Sequence, residues 1–105
     1  MRKTKILIAD DHTIVREGLK QIVAETSDMV VADEASTGHE VLNKALKNDY
    51  DVVVLDITMP GINGLDVLKQ IKAQKPKLPI LVLSVHPEEQ YAVRTLKAGA
   101  SHLQN

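Results

Sequence analysis

Carboxylates and a hydroxyl follow directly after short apolar runs, and these are the residues of the chain best suited to chemistry. They are Asp10 and Asp11 after residues 6–9, Asp56 after residues 52–55, and Ser84 after residues 80–83. Carboxylate oxygens are ligands that hard divalent cations such as Mg²⁺ prefer. A carboxylate at a strand end can also attack phosphorus, and a hydroxyl beside it can donate a hydrogen bond to a phosphoryl oxygen. The pattern therefore predicts a Mg²⁺-assisted phosphoryl-transfer site with an aspartyl phosphate as its product.

The apolar runs predict the strands that would carry these side chains. Residues 6–9, 52–55 and 80–83 are continuously apolar, which is typical of parallel strands covered by helices on both faces. A weaker run at residues 29–32 predicts an outer strand. Apolar residues with a helical period lie between the runs, at Val15, Leu19, Ile22 and Val23, at Val41, Leu42, Ala45 and Leu46, at Leu65, Leu68 and Ile71, and at Tyr91, Val93 and Leu96. This alternation predicts an open α/β sheet with right-handed crossovers.

The strand order decides whether the acids meet. Open α/β sheets bind ligands at the carboxyl edge, at the point where the strand order reverses. With the order 2-1-3-4, the first and third strands are neighbours, and Asp10, Asp11 and Asp56 converge in one crevice. Because carboxylates in one crevice repel one another, a divalent cation between them would remove the conflict. The loop from Thr58 to Gly64 supplies turn residues beside the crevice, and its glycines permit close backbone approach.

Composition limits the classes of protein that this chain can be. A length of 105 residues is typical of one domain, and 44% hydrophobic with 26% charged residues is typical of a protein that folds. A net charge of −1 and 2% aromatic residues argue against direct nucleic-acid binding. The chain has no cysteine for disulfides, and no apolar run approaches the ~20 residues of a membrane span. We expect one cytoplasmic domain without membrane contact.

Four ordered blocks of the sequence resemble one known family. They are residues 6–12 (ILIADDH), residues 55–61 (LDITMPG) with Gly64, Leu83-Ser84, and residues 96–101 (LKAGAS). Together they are similar to the receiver domains of two-component response regulators. Residues 15–19 (VREGL), after Asp10-Asp11-His12, resemble the NarL/FixJ subfamily, whose members usually carry a helix-turn-helix output domain. The resemblance implies a flavodoxin-like (CheY-like) α/β fold, an open parallel sheet in the order 2-1-3-4 with a fifth strand beyond.

The resemblance also implies a role for each polar residue. Asp56 would be the phosphoacceptor, phosphorylated by a sensor histidine kinase. Mg²⁺ would be held by Asp11 directly and by Asp10 through water, with Asp56 and the backbone carbonyl of Thr58 as further ligands. The Thr58 side chain would tune dephosphorylation, and Ser84 would contact the phosphoryl group and switch the loop after it. The expected function is a phosphoacceptor switch, usually of transcription, rather than an enzyme with turnover.

The family pattern extends further than this sequence does. After the match to Gly99-Ala100-Ser101 the family has a strand with a switch aromatic, a lysine that pairs with the phosphoryl group, and a fifth helix. Here Leu103 stands at the aromatic position and the sequence stops at Asn105. We therefore expect a receiver domain over residues 1–105 that lacks the C-terminal strand and helix and any DNA-binding output domain. We expect contact with DNA only through such an output domain. Because the missing helix would expose apolar residues of the sheet, we predict a homodimer.

Other interpretations of the same residues stay open. Asp10 and Asp11 could simply cap the first helix, and Asp56 and Ser84 could be ordinary strand-end residues. A receiver-like module that is not phosphorylated would act through protein contacts alone. A phosphatase of the haloacid dehalogenase type also uses a strand-end aspartate and Mg²⁺, but Thr58 stands where its second aspartate is expected. The histidines have no paired metal spacing and are expected at the surface or at caps: His12, His39, His86 and His102.

Overall fold

Strands and helices alternate along the chain in the computed structural model, which describes residues 3–59 and 63–83 in full and residues 101–102 by their backbone. The elements in chain order are β1 (Thr4–Ala9), α1 (Thr13–Ala24), β2 (Met29–Ala35), α2 (Gly38–Lys47), β3 (Val52–Asp56), α3 (Gly64–Gln74), β4 (Ile80–Leu83) and β5 (Ser101–His102). The strands form one parallel sheet in the order β2-β1-β3-β4-β5. The predicted α/β class and strand order are confirmed.

The described helices cover the two faces of the sheet unequally. One face packs against α2 and α3 and forms the larger core, in which Leu7 and Leu55 are fully buried. On the other face, Ile6 and Ile8 pack against Val23 of α1. Successive side chains of a strand point to opposite faces, so a strand covered on both sides must be apolar throughout. This is why the central strands could be recognised as continuous apolar runs.

The outer strand β2 is longer than its apolar run predicts. The run ends at Ala32, whereas β2 continues through Asp33 and Glu34. Both acids have cationic partners on the flanking helices: Lys44 Nζ lies 2.9 Å from Asp33 Oδ1, and Arg16 Nε lies 3.1 Å from Glu34 Oε1. Because these tertiary contacts pair the charges, the strand continues through residues that a sequence pattern assigns to a loop.

The helices begin at different kinds of cap. Thr37 precedes α2, and its Oγ1 accepts the Glu40 N–H at 3.1 Å while Glu40 Oε1 accepts the Ser36 N–H at 2.7 Å. Asn63 precedes α3, and its Oδ1 accepts a backbone N–H of the first turn at 2.8 Å. His12 precedes α1, and its side chain makes no capping hydrogen bond. Side-chain caps therefore fix the starts of α2 and α3, whereas α1 starts beside the end of β1 without one.

A short fifth strand corrects one expectation. The C-terminal strand is not absent, because Ser101 pairs with Leu81 and His102 pairs with Val82. Its pairing satisfies backbone groups that the open edge of β4 would otherwise expose. The helix predicted around Tyr91, Val93 and Leu96 lies outside the described residues.

The lengths of the helices bear on membrane contact. None of the helices in the part of the chain that the structure describes is both long enough and apolar enough to cross a membrane. The longest, α1, has 12 residues, whereas a span needs about 20.

Candidate functional site

The carboxyl ends of β1 and β3 bring the predicted acids together. The two strands are paired side by side, with Ala9 opposite Leu55, so the residues that follow meet at the same edge. Asp10, Asp11 and Asp56 each present a carboxylate oxygen there, and these oxygens and a ring nitrogen of His12 all lie within 4.8 Å of one another. The convergence predicted from the strand order is therefore observed.

Asp10 is held firmly at the base of this cluster. Its residue surface is only 2% exposed. Its backbone N–H donates to the Ala35 carbonyl at 3.0 Å, its carbonyl accepts from Arg16 Nη1 at 2.6 Å, and its Oδ1 accepts the His12 N–H at 2.8 Å. A buried carboxylate needs such partners because burial removes its hydration. The side chain and both backbone groups of Asp10 are thus fixed by neighbours.

Asp11 and His12 form the outer part of the cluster. Asp11 is exposed to solvent, and its Oδ1 lies 3.2 Å from His12 Nδ1. His12 Nδ1 also lies 3.1 Å from Asp10 Oδ1. The hydrogen bond to Asp10, followed by the negative charge of Asp11, raises the pKa of His12 above its ordinary value. The two carboxylates thus favour the positively charged form of the ring, and the same carboxylates would attract a metal cation.

The helix-cap interpretation of the acidic pair does not describe this arrangement. The residue at the N-cap position of α1 is His12, and it makes no side-chain capping bond. Asp10 instead accepts the backbone N–H of His12 from one position further back. His12 itself lies at a cap and at the surface, as expected, with 58% of its side chain exposed, but its contact with the acids was not foreseen.

Asp56 has one carboxylate oxygen with partners and one without. Only 1% of the residue is exposed. Its Oδ1 accepts the Thr58 N–H at 2.9 Å and the Thr58 Oγ1–H at 2.7 Å. Its Oδ2 is buried and has no hydrogen-bond partner among the described residues. An unpaired buried carboxylate oxygen is costly, so this atom favours a ligand that can compensate it.

The donor set suits a hard divalent cation. The cluster offers carboxylate oxygens from three aspartates within a few ångströms, one of them the unpaired Oδ2 of Asp56. Mg²⁺ is bound through one or two carboxylates and keeps several waters, and the exposed position of Asp11 leaves room for those waters. The residues present therefore fit Mg²⁺. The roles of the backbone carbonyl of Thr58 and of Ser84 stay predictions, and Ser84 lies outside the described residues.

Gly64, the first residue of α3, packs closely against the backbone of Ile57, which follows Asp56. A Cβ built on Gly64 would lie 2.6 Å from the carbonyl oxygen of Ile57 and 2.8 Å from its carbonyl carbon. Real Cβ atoms essentially never come so close to backbone. The close approach expected of the loop glycines is thus confirmed at Gly64, whereas Gly61 lies outside the described residues. Since Ile57 follows Asp56 directly, this contact fixes the site to the start of α3.

The sequence did not predict the residues of α1 and β2 that support the acidic pair. Arg16 donates to the Asp10 carbonyl and pairs with Glu34, and Glu34 pairs in turn with Lys20. In the sequence, Arg16 is marked only as part of the family-like stretch VREGL at residues 15–19. The available signal was the placement of Arg16 among apolar positions of α1, where an unpaired charge would be unfavourable.

The chain is similar to known proteins along nearly its whole length. A family model described as the response regulator receiver domain matches residues 6–103. The transcriptional regulatory protein DegU of Brevibacillus brevis is 36% identical over 99 residues, which make up 94% of this chain and 42% of that protein. The nitrate/nitrite response regulator protein NarL of Escherichia coli strain K12 is 39% identical over 95 residues, 90% of this chain and 44% of that protein. The chain thus spans less than half the length of these curated relatives.

The fold of the chain is also similar to that of a solved structure. The response regulator domain of Thermotoga maritima CheB superposes with a TM-score of 0.90 at 31% sequence identity. The match covers 99% of this chain and 78% of that one. It includes the parallel sheet whose carboxyl edge carries the acidic cluster.

The first prediction concerns Gly64. Replacement of Gly64 by alanine should destabilise the fold by roughly 1–3 kcal/mol, because the added methyl group must push the Ile57 backbone aside. Gly18→Ala is the matched control, since a Cβ at Gly18 meets nothing within 4 Å and alanine in a helix interior should stabilise by roughly 0.5–1 kcal/mol. Urea unfolding of both variants measures the difference. Equal unfolding midpoints would contradict the packing argument.

Proposed function

The chain belongs to the response regulator receiver domain family of two-component signalling, and we propose that Asp56 is its phosphoacceptor in a Mg²⁺-dependent reaction with a sensor histidine kinase. The observation that carries the proposal is the buried Oδ2 of Asp56, which lies beside Asp10 and Asp11 and has no hydrogen-bond partner among the described residues. A structural carboxylate would have hydrogen-bond partners for both oxygens. A nucleophile must keep one oxygen free.

The chemistry assigned to Asp56 follows from its two unlike oxygens. Thr58 donates two hydrogen bonds to Oδ1 and so fixes the orientation of the carboxylate. Oδ2 would form the new bond to phosphorus while the bond from phosphorus to the histidine nitrogen of the kinase breaks and leaves its electron pair on that nitrogen. Such transfers depend mainly on positioning and on electrostatic stabilisation of the phosphoryl oxygens.

The metal-binding residues in this proposal are those of the acidic cluster. Asp11 would bind Mg²⁺ directly and Asp10 through water, with Asp56 and the Thr58 carbonyl completing the protein ligands. When bound, Mg²⁺ would offset the negative charge of the phosphoryl oxygens. The chain's part is to hold the carboxylates in place before the cation arrives, and the buried contacts of Asp10 serve that purpose.

The signal would leave the site through the loop after β4. Ser84 would donate its hydroxyl to a phosphoryl oxygen on Asp56 and draw that loop inwards. The relatives named above are a transcriptional regulatory protein and a nitrate/nitrite response regulator, each more than twice as long as the match. We propose that residues 1–105 act as one receiver domain in the cytoplasm and control transcription only together with a DNA-binding output domain.

The dehalogenase-type alternative is disfavoured by the side chain of Thr58. That mechanism needs a second acid two residues after the nucleophile, and here the position holds a hydroxyl that donates to Asp56. A threonine hydroxyl does not act as a general acid near neutral pH. We therefore favour a switch that is modified once over an enzyme that turns over many substrate molecules.

Phosphorylation of Asp56 is testable without the kinase. Incubation with acetyl phosphate and Mg²⁺ should add one phosphoryl mass to the intact protein, and omission of Mg²⁺ or the change Asp56→Asn should abolish the gain. Asp49→Asn is the control, because the Asp49 side chain is 99% exposed and lies outside the cluster; it should label as the wild type does. Mass spectrometry of the intact protein gives the readout. A folded wild type that gains no mass would support the non-phosphorylated binding module instead.

The outward side of α1 offers a docking surface for the kinase. Ile14 is 87% exposed one turn from the acidic cluster. Gly18 lies on the same side, has no neighbour that requires a glycine, and costs the helix roughly 0.5–1 kcal/mol relative to alanine. An apolar side chain next to a residue without a side chain suits close contact with a helix of a partner. We propose that the kinase approaches Asp56 over this surface.

A charge at Ile14 should separate docking from chemistry. Ile14→Glu should slow phosphotransfer from a kinase that phosphorylates the wild type by about tenfold or more, as expected for loss of about 1.4 kcal/mol of binding energy. The rate with acetyl phosphate should not change. Ile22→Glu, at a second exposed isoleucine near the other end of α1, serves as the matched control. Equal slowing with both phosphodonors would argue against a docking role.

The predicted homodimer rests on the sheet face that packs against α1. On this face Val52, Val54, Leu81 and Leu83 are only half-buried, whereas their neighbours on the opposite face are fully buried. Burial of apolar surface contributes about 25 cal/mol per Å², so a few hundred Å² would favour association by several kcal/mol. We propose that a second copy covers this face.

Self-association should therefore depend on this face of the sheet. Sedimentation equilibrium should show a concentration-dependent dimer of the wild type, and Leu81→Lys, opposite Val54, should weaken it at least tenfold, since a lysine cannot be buried there unpaired. Ile22→Lys, on the exposed side of α1, is the control and should leave the dimer intact. A wild type that stays monomeric up to high micromolar concentration would refute the dimer.

A further inference from the structure

Arg16 is a mostly buried arginine whose contacts point to the acidic pair rather than to solvent. Only 17% of its side chain is exposed. Its Nη1 donates to the carbonyl oxygen of Asp10 at 2.6 Å, and its Nε donates to Glu34 Oε1 at 3.1 Å. A buried guanidinium is retained only where its donors are satisfied. Here one donor binds the Asp10 carbonyl, and another binds the Glu34 carboxylate.

That carbonyl belongs to the peptide group that joins Asp10 to Asp11. The preceding N–H of Asp10 is bonded to the Ala35 carbonyl at 3.0 Å, so Asp10 is fixed on one side by β2 and on the other by Arg16. Because a peptide group is planar, fixing the carbonyl also fixes the direction in which the chain continues into Asp11. The position of the Asp11 Cα atom, from which its side chain starts, is set in the same way.

Asp11 needs this support more than its neighbour does. Its side chain is 30% exposed, and its Oδ1 contacts the His12 ring, which is itself 58% exposed. Asp10, in contrast, is buried and receives hydrogen bonds on both its side chain and its backbone. The backbone at Asp10 is therefore the main structural constraint on where the Asp11 carboxylate can lie.

Glu34 holds the guanidinium in place and offsets its charge. Glu34 Oε1 accepts from Arg16, and Oε2 accepts from Lys20 Nζ at 3.1 Å, so both oxygens are used. Lys20 is paired further with Glu17 at 3.0 Å. A guanidinium next to a cation site would repel the cation if it were unpaired. With Glu34 beside it, Arg16 can orient the backbone at little electrostatic cost to a bound cation.

We propose that Arg16, oriented by Glu34, is a positioning residue that sets the geometry of Asp11 for binding Mg²⁺. The inference rests on the proposed function, in which Asp11 is a metal ligand. It adds an outer layer of the site, formed by α1 and β2, which touches neither the cation nor the phosphoryl group. Partners that orient metal ligands in this way typically account for 10- to 100-fold in metal affinity.

The sign of the effect distinguishes positioning from simple electrostatics. Removal of a positive charge near a cation site should tighten Mg²⁺ binding if charge alone matters. Loss of the hydrogen bond to the Asp10 carbonyl should weaken binding if geometry matters. Arg16→Gln tests both at once, and we expect Mg²⁺ binding, measured by calorimetric titration, to weaken by about tenfold. Arg16→Lys keeps the charge without the planar fork and should recover only part of the loss.

Glu34→Gln and a control away from the site complete the experiment. Glu34→Gln leaves the guanidinium without its anionic partner and should also weaken Mg²⁺ binding. Combined with Arg16→Gln it should add little, because both changes act through one contact. Lys75→Gln removes the same charge from a residue that bonds the Asn48 carbonyl and pairs with Asp49, and it should leave the Mg²⁺ affinity unchanged.

A second readout needs no metal. The amide nitrogen of Asp11 belongs to the peptide group whose carbonyl accepts from Arg16, so its NMR chemical shift in metal-free protein should move in Arg16→Gln and stay in place in Lys75→Gln. Should Arg16→Gln fail to fold by circular dichroism, Arg16→Lys carries the same test, because it keeps the charge and loses the planar fork. An unchanged Asp11 amide together with unchanged or tighter Mg²⁺ binding would overturn the inference. A wild type that binds no Mg²⁺ would overturn the metal site of the proposed function itself, while a moved amide would still assign the backbone contact to Arg16.

Discussion

Adjacent parallel strands that both end in buried aspartates impose the main physical constraint on this structure. Asp10 and Asp56 are 2% and 1% exposed, and a third carboxylate joins them within 4.8 Å. Two unit charges about 5 Å apart repel by about 3 kcal/mol at an effective dielectric constant of about 20. Hydrogen bonds from His12, Thr58 and backbone groups offset part of that cost, but Asp56 Oδ2 has no such partner in the described part of the chain. The fold therefore maintains an arrangement that is less favourable without a cation than with one, which is the expected property of a site rather than of a core.

The surrounding elements supply charge compensation without filling the site. Among the described residues, cations of the helices beside β2 are paired with its acids: Arg16 and Lys20 with Glu34, and Lys44 with Asp33. Lys44 in turn lowers the pKa of Asp33, mainly through their hydrogen bond. The positive charges of these pairs are neutralised by Glu34 and Asp33. They therefore do not offset the negative charge of the aspartates at the strand ends. That negative charge is visible in the raised pKa of His12.

The sequence predicted those parts of the molecule that depend on local pattern. The central strands are buried on both faces, so their apolar runs were continuous, and the strand order then placed Asp10, Asp11 and Asp56 at one edge. The C-terminal half of β2 was missed because Asp33 and Glu34 look like loop residues until their partners on α1 and α2 are known. Arg16 was missed as a supporting residue for the same reason, since its pairing with Glu34 spans 18 positions and no local pattern reports it. The roles of the Ser84 hydroxyl and of the Thr58 carbonyl stay predictions.

The asymmetry of Asp56 links the site to the rest of the fold. Oδ1 accepts hydrogen bonds from both a backbone and a side-chain donor of Thr58, so a rotation of the carboxylate would either break these bonds or move the backbone after β3. The next contact in that direction is rigid, because Ile57 lies against Gly64 with no room for a methyl group. Packed interfaces of this kind shift between discrete arrangements and do not deform continuously. A phosphoryl group on Oδ2 would therefore act on the start of α3 through Thr58 and Ile57, in addition to any effect through the loop after β4.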